Sequence, residues 1–457
     1  MQQDQRVQQA ASQYVKMTET PIPKLVISLA IPTVLSMLIT SLYNMVDTAF
    51  VGTLGNSASG AVGVIFGYMA ILQAFAFMFG QGSGSLISRN LGRHDVERSS
   101  VIASTGFFLA MGCGGVIGIF SFLFMDPLVV LLGSSPTIAP YAKEYLLYIL
   151  MAAPFMTSSI VLNNVLRYEG KAVLGMVGLV TGAVLNIFLD AVCIFLLDMG
   201  IGGAGFATAI SQTVSFCILL SMFVRKRTQC ALSIRLFRWD WSLILDIVST
   251  GSPSFLRQGL NSGSTVLLNS IVRGYGDAAV AAMSIVNRIC MFIFSVTVGI
   301  GQGYQPVSGF NYGAGKYSRV RQGFRFTFKV SQALLSTAAI VIFFIAQPLV
   351  GWLRNDPMVV EIGVRALRLQ CAALFFMPFC VVTEMQLQST GQRLMSALLA
   401  AIRNGLFFIP ALVILHHFRG LAGVQEAQPL SYVLSFFVAV GFSAHFFRNL
   451  PKTDEPE

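Results

Sequence analysis

Apolar stretches of roughly 20 residues recur along this chain, each long enough to cross a hydrocarbon core of about 30 Å. A backbone surrounded by lipid must satisfy its own N–H and C=O groups, and stretches of this length do so as α-helices. Twelve helices are expected, near residues 25–50, 60–88, 99–124, 138–166, 172–197 and 203–224, and again near 243–272, 278–308, 323–347, 359–388, 393–415 and 428–447. Composition agrees. Asp, Glu, Lys and Arg make up only 11% of the 457 residues, against about 25% in a soluble domain, too few to clothe a water-facing surface of this size. The expected fold class is an all-α membrane protein.

The net charge of +10 invites a nucleic-acid partner, but its distribution argues for a membrane instead. Lys and Arg gather in every second connection: Arg89, Arg93 and Arg98; Arg167 and Lys171; Arg225, Lys226, Arg227, Arg235 and Arg238; Lys316, Arg319, Arg321, Arg325 and Lys329; and Arg393. The alternate connections (51–59, 125–137, 198–202, 273–277, 348–358, 416–427) are nearly free of them. By the positive-inside rule the basic side and both termini face the cytoplasm. Residues 1–23 are polar, with no apolar segment next to a small-residue cleavage site, and read as a cytoplasmic tail. The longest polar connection, 225–242, divides the chain into halves at 24–224 and 243–448, and 449–457 form a second tail. The seven cysteines are scattered without a Cys-x-x-Cys pair, which implies neither a disulfide framework nor a zinc site.

The halves are copies of one another. A shift of 221 positions places Pro32 on Pro253, Gly55 on Gly276, Ala61 on Ala282, Gly80-Gln81-Gly82 on Gly301-Gln302-Gly303, Asn90 and Gly92 on Asn311 and Gly313, Arg98 on Arg319, Pro127 on Pro348 and Gly170 on Gly391. Each half has an even number of spans, so both run in the same sense. This is a parallel repeat about an axis along the membrane normal, with a cavity expected between the halves. Rocking one half against the other would expose that cavity to alternate sides, so the duplication favours transport.

Carboxylates in a bilayer are expensive and therefore candidate functional groups. Asp47 lies towards the outer end of the first span, four residues and one helix face from Tyr43; Asn186 and Asp190 share a face of the fifth. Two carboxylates, an amide and a hydroxyl suit a Na⁺ ion, and the same carboxylates could instead hold a proton. The plainer alternative makes Asp47 a local cap and Asn186 and Asp190 interhelical hydrogen-bond partners. Pro32 removes a backbone hydrogen bond inside the first span, either a simple bend or a part that moves.

These segments, Ile31-Pro32 through Tyr43-Asn44-Met45-Val46-Asp47-Thr48-Ala49-Phe50-Val51-Gly52, Gly80-Gln81-Gly82 through Asn90-Leu91-Gly92, Asn186 with Asp190, Gly202 through Thr208, Gly251-Ser252-Pro253, and Gly301-Gln302-Gly303 through Asn311-Tyr312-Gly313, together resemble the multidrug and toxic compound extrusion (MATE) family over residues 24 to 448. The chain looks most like the MepA-type bacterial branch. The resemblance implies two six-helix lobes in a V, set in a bacterial cytoplasmic membrane, exporting organic and often cationic compounds against entry of Na⁺ or H⁺. It carries the coupling-cation roles onto Asp47, Asn186, Asp190 and Thr208, and the bending proline onto Pro32. No cofactor beyond the coupling ion is implied. The expected partners are a small organic substrate and membrane lipid, with no nucleic acid, and the expected unit is a monomer.

Another arrangement in the family uses acids of the second lobe, and here the sequence departs from it. Leu268 stands where Asp47 would repeat. Glu384 remains, with Arg257, Arg288 and Arg403 inside predicted spans: either a gate or cavity wall, or a structural ion pair joining spans seven, ten and eleven. Some of the 19 Met and 37 Phe residues could line an adaptable pocket. Gly80-Gln81-Gly82-Ser83-Gly84 lacks the strand and lysine of a nucleotide loop, and close helix packing explains it better. His416-His417 reads as a solvated pair in a loop. No nucleophile–base pair or ATPase motif is present, so the chain is not expected to be an enzyme. A flippase for lipid-linked sugars is the nearest rival, followed by a channel or an intramembrane enzyme.

Overall fold

The computed structural model describes residues 2–354 and 356–455, and every regular element among them is helical. After α1 (Gln2–Glu19), the first lobe comprises α2 (Ile22–Gly52), α3 (Asn56–Gly92), α4 (Val96–Leu123), the short α5 (Met125–Leu131), α6 (Ala139–Tyr168), α7 (Ala172–Ala191) and α8 (Gly200–Val224). The second comprises α9 (Trp241–Val272), α10 (Asp277–Gly313), α11 (Tyr317–Leu353), α12 (Pro357–Ala373), α13 (Met377–Ser389), α14 (Arg393–Ala401), α15 (Phe408–Arg419) and α16 (Leu421–Asn449). Among the described residues ten helical stretches are long and apolar enough to cross a bilayer, and the bent pair α12–α13 makes an eleventh. The twelfth expected span is α9, 32 residues long. Its lower hydropathy reflects side chains used inside the protein: Ser254 and Gln388 are hydrogen-bonded, Arg257 pairs with Glu384, and Gln258 donates to Gln73.

The expected spans are interrupted in three places. The tenth bends by 52° between α12 and α13, where Pro378 in the first turn of α13 lacks an N–H and disfavours a continuous helix. In the fifth and eleventh spans a turn of π-helix follows α7 (Val192–Leu196) and separates α14 from α15 (Ile402–Leu406). The eleventh continues to Arg419, so His416-His417 end a helix rather than lie in a loop, and His416 Nδ1 is 2.9 Å from the Tyr275 hydroxyl.

Lipid tails are as apolar as leucine, so the lobes are held by close packing and hydrogen bonds. At the end carrying the basic connections one apolar core joins them, with Leu25, Val26, Met78, Ile247, Tyr304 and Phe310 in contact. Farther out it divides into separate cores, one around Val51, Ile65, Leu72 and Ile149 and one around Leu268, Val286, Leu335 and Leu367. The repeated glycines explain the junction. A Cβ on Gly82 would collide with the Ile247 carbonyl and one on Gly303 with Ala30; one on Gly92 would strike the Phe310 carbonyl and one on Gly313 the Arg89 carbonyl. Each is the partner of another under the repeat, so the same crossing is built twice. In the opposite half, Gly63, Gly67, Gly259 and Gly263 have nothing within 4 Å of an added Cβ. The lobes therefore converge at the basic end and diverge at the other. Gly251, which an added Cβ would drive into the Met78 carbonyl, gives a test: Gly251→Leu should cost about 1–3 kcal/mol by overpacking. A melting temperature in detergent equal to that of the wild type would contradict this crossing.

The N-terminal segment is tied across the junction. Tyr14 stacks on His94 with ring centroids 3.9 Å apart, and Gln13 donates to the Glu169 carbonyl at 2.9 Å, both in the first lobe. From the second lobe Asn311 donates to the Met17 carbonyl at 3.1 Å and Arg319 to that of Thr20 at 2.6 Å. The 225–242 linker is also anchored, through the buried Glu169 carboxylate, which accepts from the backbone N–H groups of Gln229 and Cys230 at 2.9 Å each.

Candidate functional site

In the half of the first lobe away from the basic connections, α2, α6, α7 and α8 bring together Tyr43, Asp47, Tyr145, Asn186, Asp190 and Thr208. Asp190 is fully buried, and Asp47, Asn186 and Thr208 are buried too. The Asp47 and Asp190 carboxyl groups lie within hydrogen-bonding range of one another, and the Tyr43 hydroxyl is close to both. Asn186 Nδ2 donates to Thr208 Oγ1 at 3.3 Å, which leaves Asn186 Oδ1 as an acceptor. That oxygen, Asp47 Oδ1 and both carboxylate oxygens of Asp190 have no hydrogen-bond partner. Hard oxygen atoms converging without donors are what a cation such as Na⁺ requires, and two adjoining carboxylates can equally share a proton. A buried anion left without either would cost several kcal/mol.

The pattern of small residues makes room for this cluster. Gly182 of α7 closes on the Ser211 carbonyl and Ser215 of α8, and Gly205 of α8 on Tyr145, so α6, α7 and α8 approach closely enough for their polar side chains to meet. The π turn at Val192–Leu196 begins immediately after Asp190 and Ala191; such turns often mark functional sites because they re-aim side chains. Among the described residues no three His, Cys, Asp or Glu side chains gather as a metal site.

Tyr145 is the member that sequence reasoning missed. It is buried, and its hydroxyl lies near Thr208 and both carboxyls. Its only sequence signal is a hydroxyl within an apolar run, and the chain has 12 tyrosines. Tyr145→Phe keeps the ring and removes the hydroxyl beside the cluster. It should raise the coupling-cation concentration for half-maximal transport several-fold, at about 1 kcal/mol for one polar contact; a superimposable cation titration would remove Tyr145 from the site.

The second lobe does not repeat this chemistry. Leu268 sits in its apolar core, and the shift places Ala366 opposite Tyr145 and Ala411 opposite Asp190. Its charges gather elsewhere. Glu384 of α13 accepts from Arg257 of α9 at 2.8 Å and pairs with Arg403 at 2.9 Å, and all three are buried. Arg403 is carried on the Ile402–Leu406 π turn, where Ser431 and Ser264 donate to the carbonyls of Arg403 and Asn404 at 3.0 and 2.6 Å. Its guanidinium also lies over the Phe294 ring, 5.6 Å from the centroid. Arg288 is apart from this group and exposed. It shares a stripe of α10 with Ser295, which bonds Ser41 across the junction at 3.1 Å, and lies two turns farther out, where the lobes separate.

Pro32 lies within α2, which runs through it as one helix. Its neighbours make the junction: Ala30 packs on Gly303 and Val34 on Gly299. Pro32 is therefore remote from the carboxylates, about 22 Å along the helix from Asp47, and next to the contact between lobes.

The MatE family model matches residues 32–192 and 253–414, two segments that begin on the prolines superimposed by the repeat. The multidrug export protein MepA of Staphylococcus haemolyticus is 26% identical over 438 residues, covering 96% of each chain. Among solved structures, an outward-facing multidrug resistance MATE family transporter of the MOP superfamily superimposes with a TM-score of 0.90 at 26% identity, over 96% of this chain and 99% of the other. A MATE crystal structure in a straight conformation does so with a TM-score of 0.90 at 27% identity and the same coverage.

Proposed function

The chain belongs to the multidrug and toxic compound extrusion family of membrane transporters, and from that premise we propose that it is a secondary antiporter. It exports organic, often cationic, drugs or metabolites across a bacterial inner membrane in exchange for Na⁺ or H⁺. The observation that carries the coupling is the set of unpartnered buried oxygens on Asp47, Asn186 and Asp190. The wedge between the lobes supplies the substrate path. With the basic connections and both termini in the cytoplasm, the convergent end is cytoplasmic and the structure is open to the outside.

In this reading the cation enters the first lobe from outside, and neutralising the two carboxylates changes how α2 packs on α7 and α8. Because α2 also carries Ala30, Pro32 and Val34 at the lobe junction, a change in its course is felt where the lobes must part. The helix lacks one backbone hydrogen bond at Pro32, which makes that turn the easiest to bend. A ligand shifts such an equilibrium only by its different affinity for the two states; the carboxylate pair supplies that difference.

The test uses purified protein in proteoliposomes, an imposed Na⁺ or H⁺ gradient and several fluorescent organic cations. Gradient-driven dye movement is expected with one of the two ions. Movement of none of the dyes under either gradient would defeat the antiporter reading. Arg288, a cation on the stripe that faces the wedge, favours a second reading, a flippase for an anionic lipid-linked sugar. That activity would appear in the same vesicles as gradient-independent exchange of a labelled lipid, lost in Arg288→Gln.

A further inference from the structure

At the cytoplasmic edge of the lobe junction, away from the carboxylate cluster, a groove of about 530 Å³ is lined by Pro23, Ser318, Arg321, Arg325, Phe326 and Lys329, with Gln322 and Lys452 completing the wall. Pro23 starts the first span of the first lobe; the α11 residues begin the third span of the second; Lys452 comes from the C-terminal tail. The groove therefore touches both lobes. Arg321, Arg325 and Lys329 are spaced four apart and form one stripe of α11. Arg321 is partly engaged, donating to the carbonyls of Leu450 and Pro451 at 2.8 Å each. Arg325, Lys329 and Lys452 are exposed, with no hydrogen bond or ion pair to any described residue. The nearby acid is already occupied: Asp454 accepts from the Ser318 N–H at 2.7 Å and from its hydroxyl at 2.5 Å.

Depth identifies the ligand. From Val330 to Leu353, α11 has no charged residue, about 36 Å of helix, enough to cross the hydrocarbon core of about 30 Å. Trp352, highly exposed, marks the far interface of this span. The cationic stripe therefore stands at the level of the headgroups, with Phe326 and Pro23 offering apolar surface beside it. We propose that this groove binds a phosphate-bearing anionic lipid headgroup, whose phosphate is held by Arg325, Lys329 and Lys452 and whose glycerol end rests on Phe326 and Pro23. Guanidinium groups suit phosphate oxygens geometrically, and cations near an anionic leaflet attract it individually. A lipid seated here joins α2 to α11 at the closed end of the wedge.

The experiment compares full-length wild type with Arg325→Gln/Lys329→Gln, purified from membranes containing phosphatidylglycerol and phosphatidylcholine and analysed by native mass spectrometry. Wild type should retain phosphatidylglycerol over phosphatidylcholine. The double variant should lose about thirty-fold in retention, roughly five-fold for each charge, with an unchanged melting temperature. Arg235→Gln/Arg238→Gln, which removes two exposed charges from the linker on the same side, should retain the lipid like wild type. Equal loss in that control would overturn the site by making the effect one of total charge. Displacement of the lipid by millimolar inorganic phosphate would overturn it in favour of a soluble phosphate ligand, and retention in the groove variant equal to wild type would overturn it outright.

Discussion

Asp190→Asn is expected to abolish gradient-driven transport while leaving the protein folded. Asp190 is fully buried, its two oxygens have no donor, and it faces Asp47 across the α2–α7 packing. An amide of the same shape can neither take up a proton at this site nor balance a cation. Replacing one of two adjoining carboxylates also removes like-charge repulsion, so the melting temperature should hold or rise. Dye binding without a gradient should persist, because the wedge between the lobes is untouched. The decisive comparison is dye efflux in proteoliposomes beside a thermal melt of the same preparation. Wild-type efflux would reduce Asp190 to an interhelical hydrogen-bond partner, and a collapsed melt would mean that its role is structural.

Glu384→Ala should have the largest effect on stability. The carboxylate holds Arg257 at 2.8 Å and Arg403 at 2.9 Å, and both guanidinium groups are buried. Removing it leaves two unpaired cations inside the lobe, and breaking a buried pair in this way costs about 3–5 kcal/mol. Replacing the whole group has the opposite expectation. Arg257→Met/Glu384→Met/Arg403→Met removes the charges together and should be neutral or stabilising, since hydrophobic side chains of similar volume can substitute for a buried ion network. The two melts read together test the pairing. Transport by the triple variant separates roles: preserved efflux makes the group a structural tie among α9, α13 and the Ile402–Leu406 turn, whereas efflux lost from a stable protein makes it part of the gate.

Much of this was legible in the chain. Periodic Gly, Pro and Asn at a constant shift exposed the duplication, because the crossing formed by Gly82 with α9 must be formed again by Gly303 with α2. Acids in apolar runs stood out because a membrane tolerates few of them. What stayed hidden depends on partners distant in sequence. Tyr145 looks like any other aromatic residue until α8 brings Thr208 to its hydroxyl. The π turns leave no readable mark, since Val192–Leu196 is wholly apolar and the Arg403 and Asn404 of Ile402–Leu406 suit an ordinary helical turn equally well. The bend before α13 was signalled only by Pro378, and a proline in the first turn of a helix is unremarkable on its own. The N-terminal segment looked like a polar tail because its contacts with His94, Glu169, Asn311 and Arg319 come from both lobes.

The sequence by itself determined that the chain is a membrane protein of two parallel six-span halves, and that the acids of the first and fifth spans, Asp47 and Asp190, are not repeated in the second half, where Leu268 and Ala411 stand. Hydrocarbon thickness and the cost of burying charge act on each segment alone, so a linear reading is enough to apply them. The tertiary structure decided which oxygens converge, that both arginines share Glu384, and that the lobes meet at the basic end and part at the other. Those outcomes depend on how closely separate helices approach, which is set by glycines and hydroxyls on facing surfaces rather than by any single span.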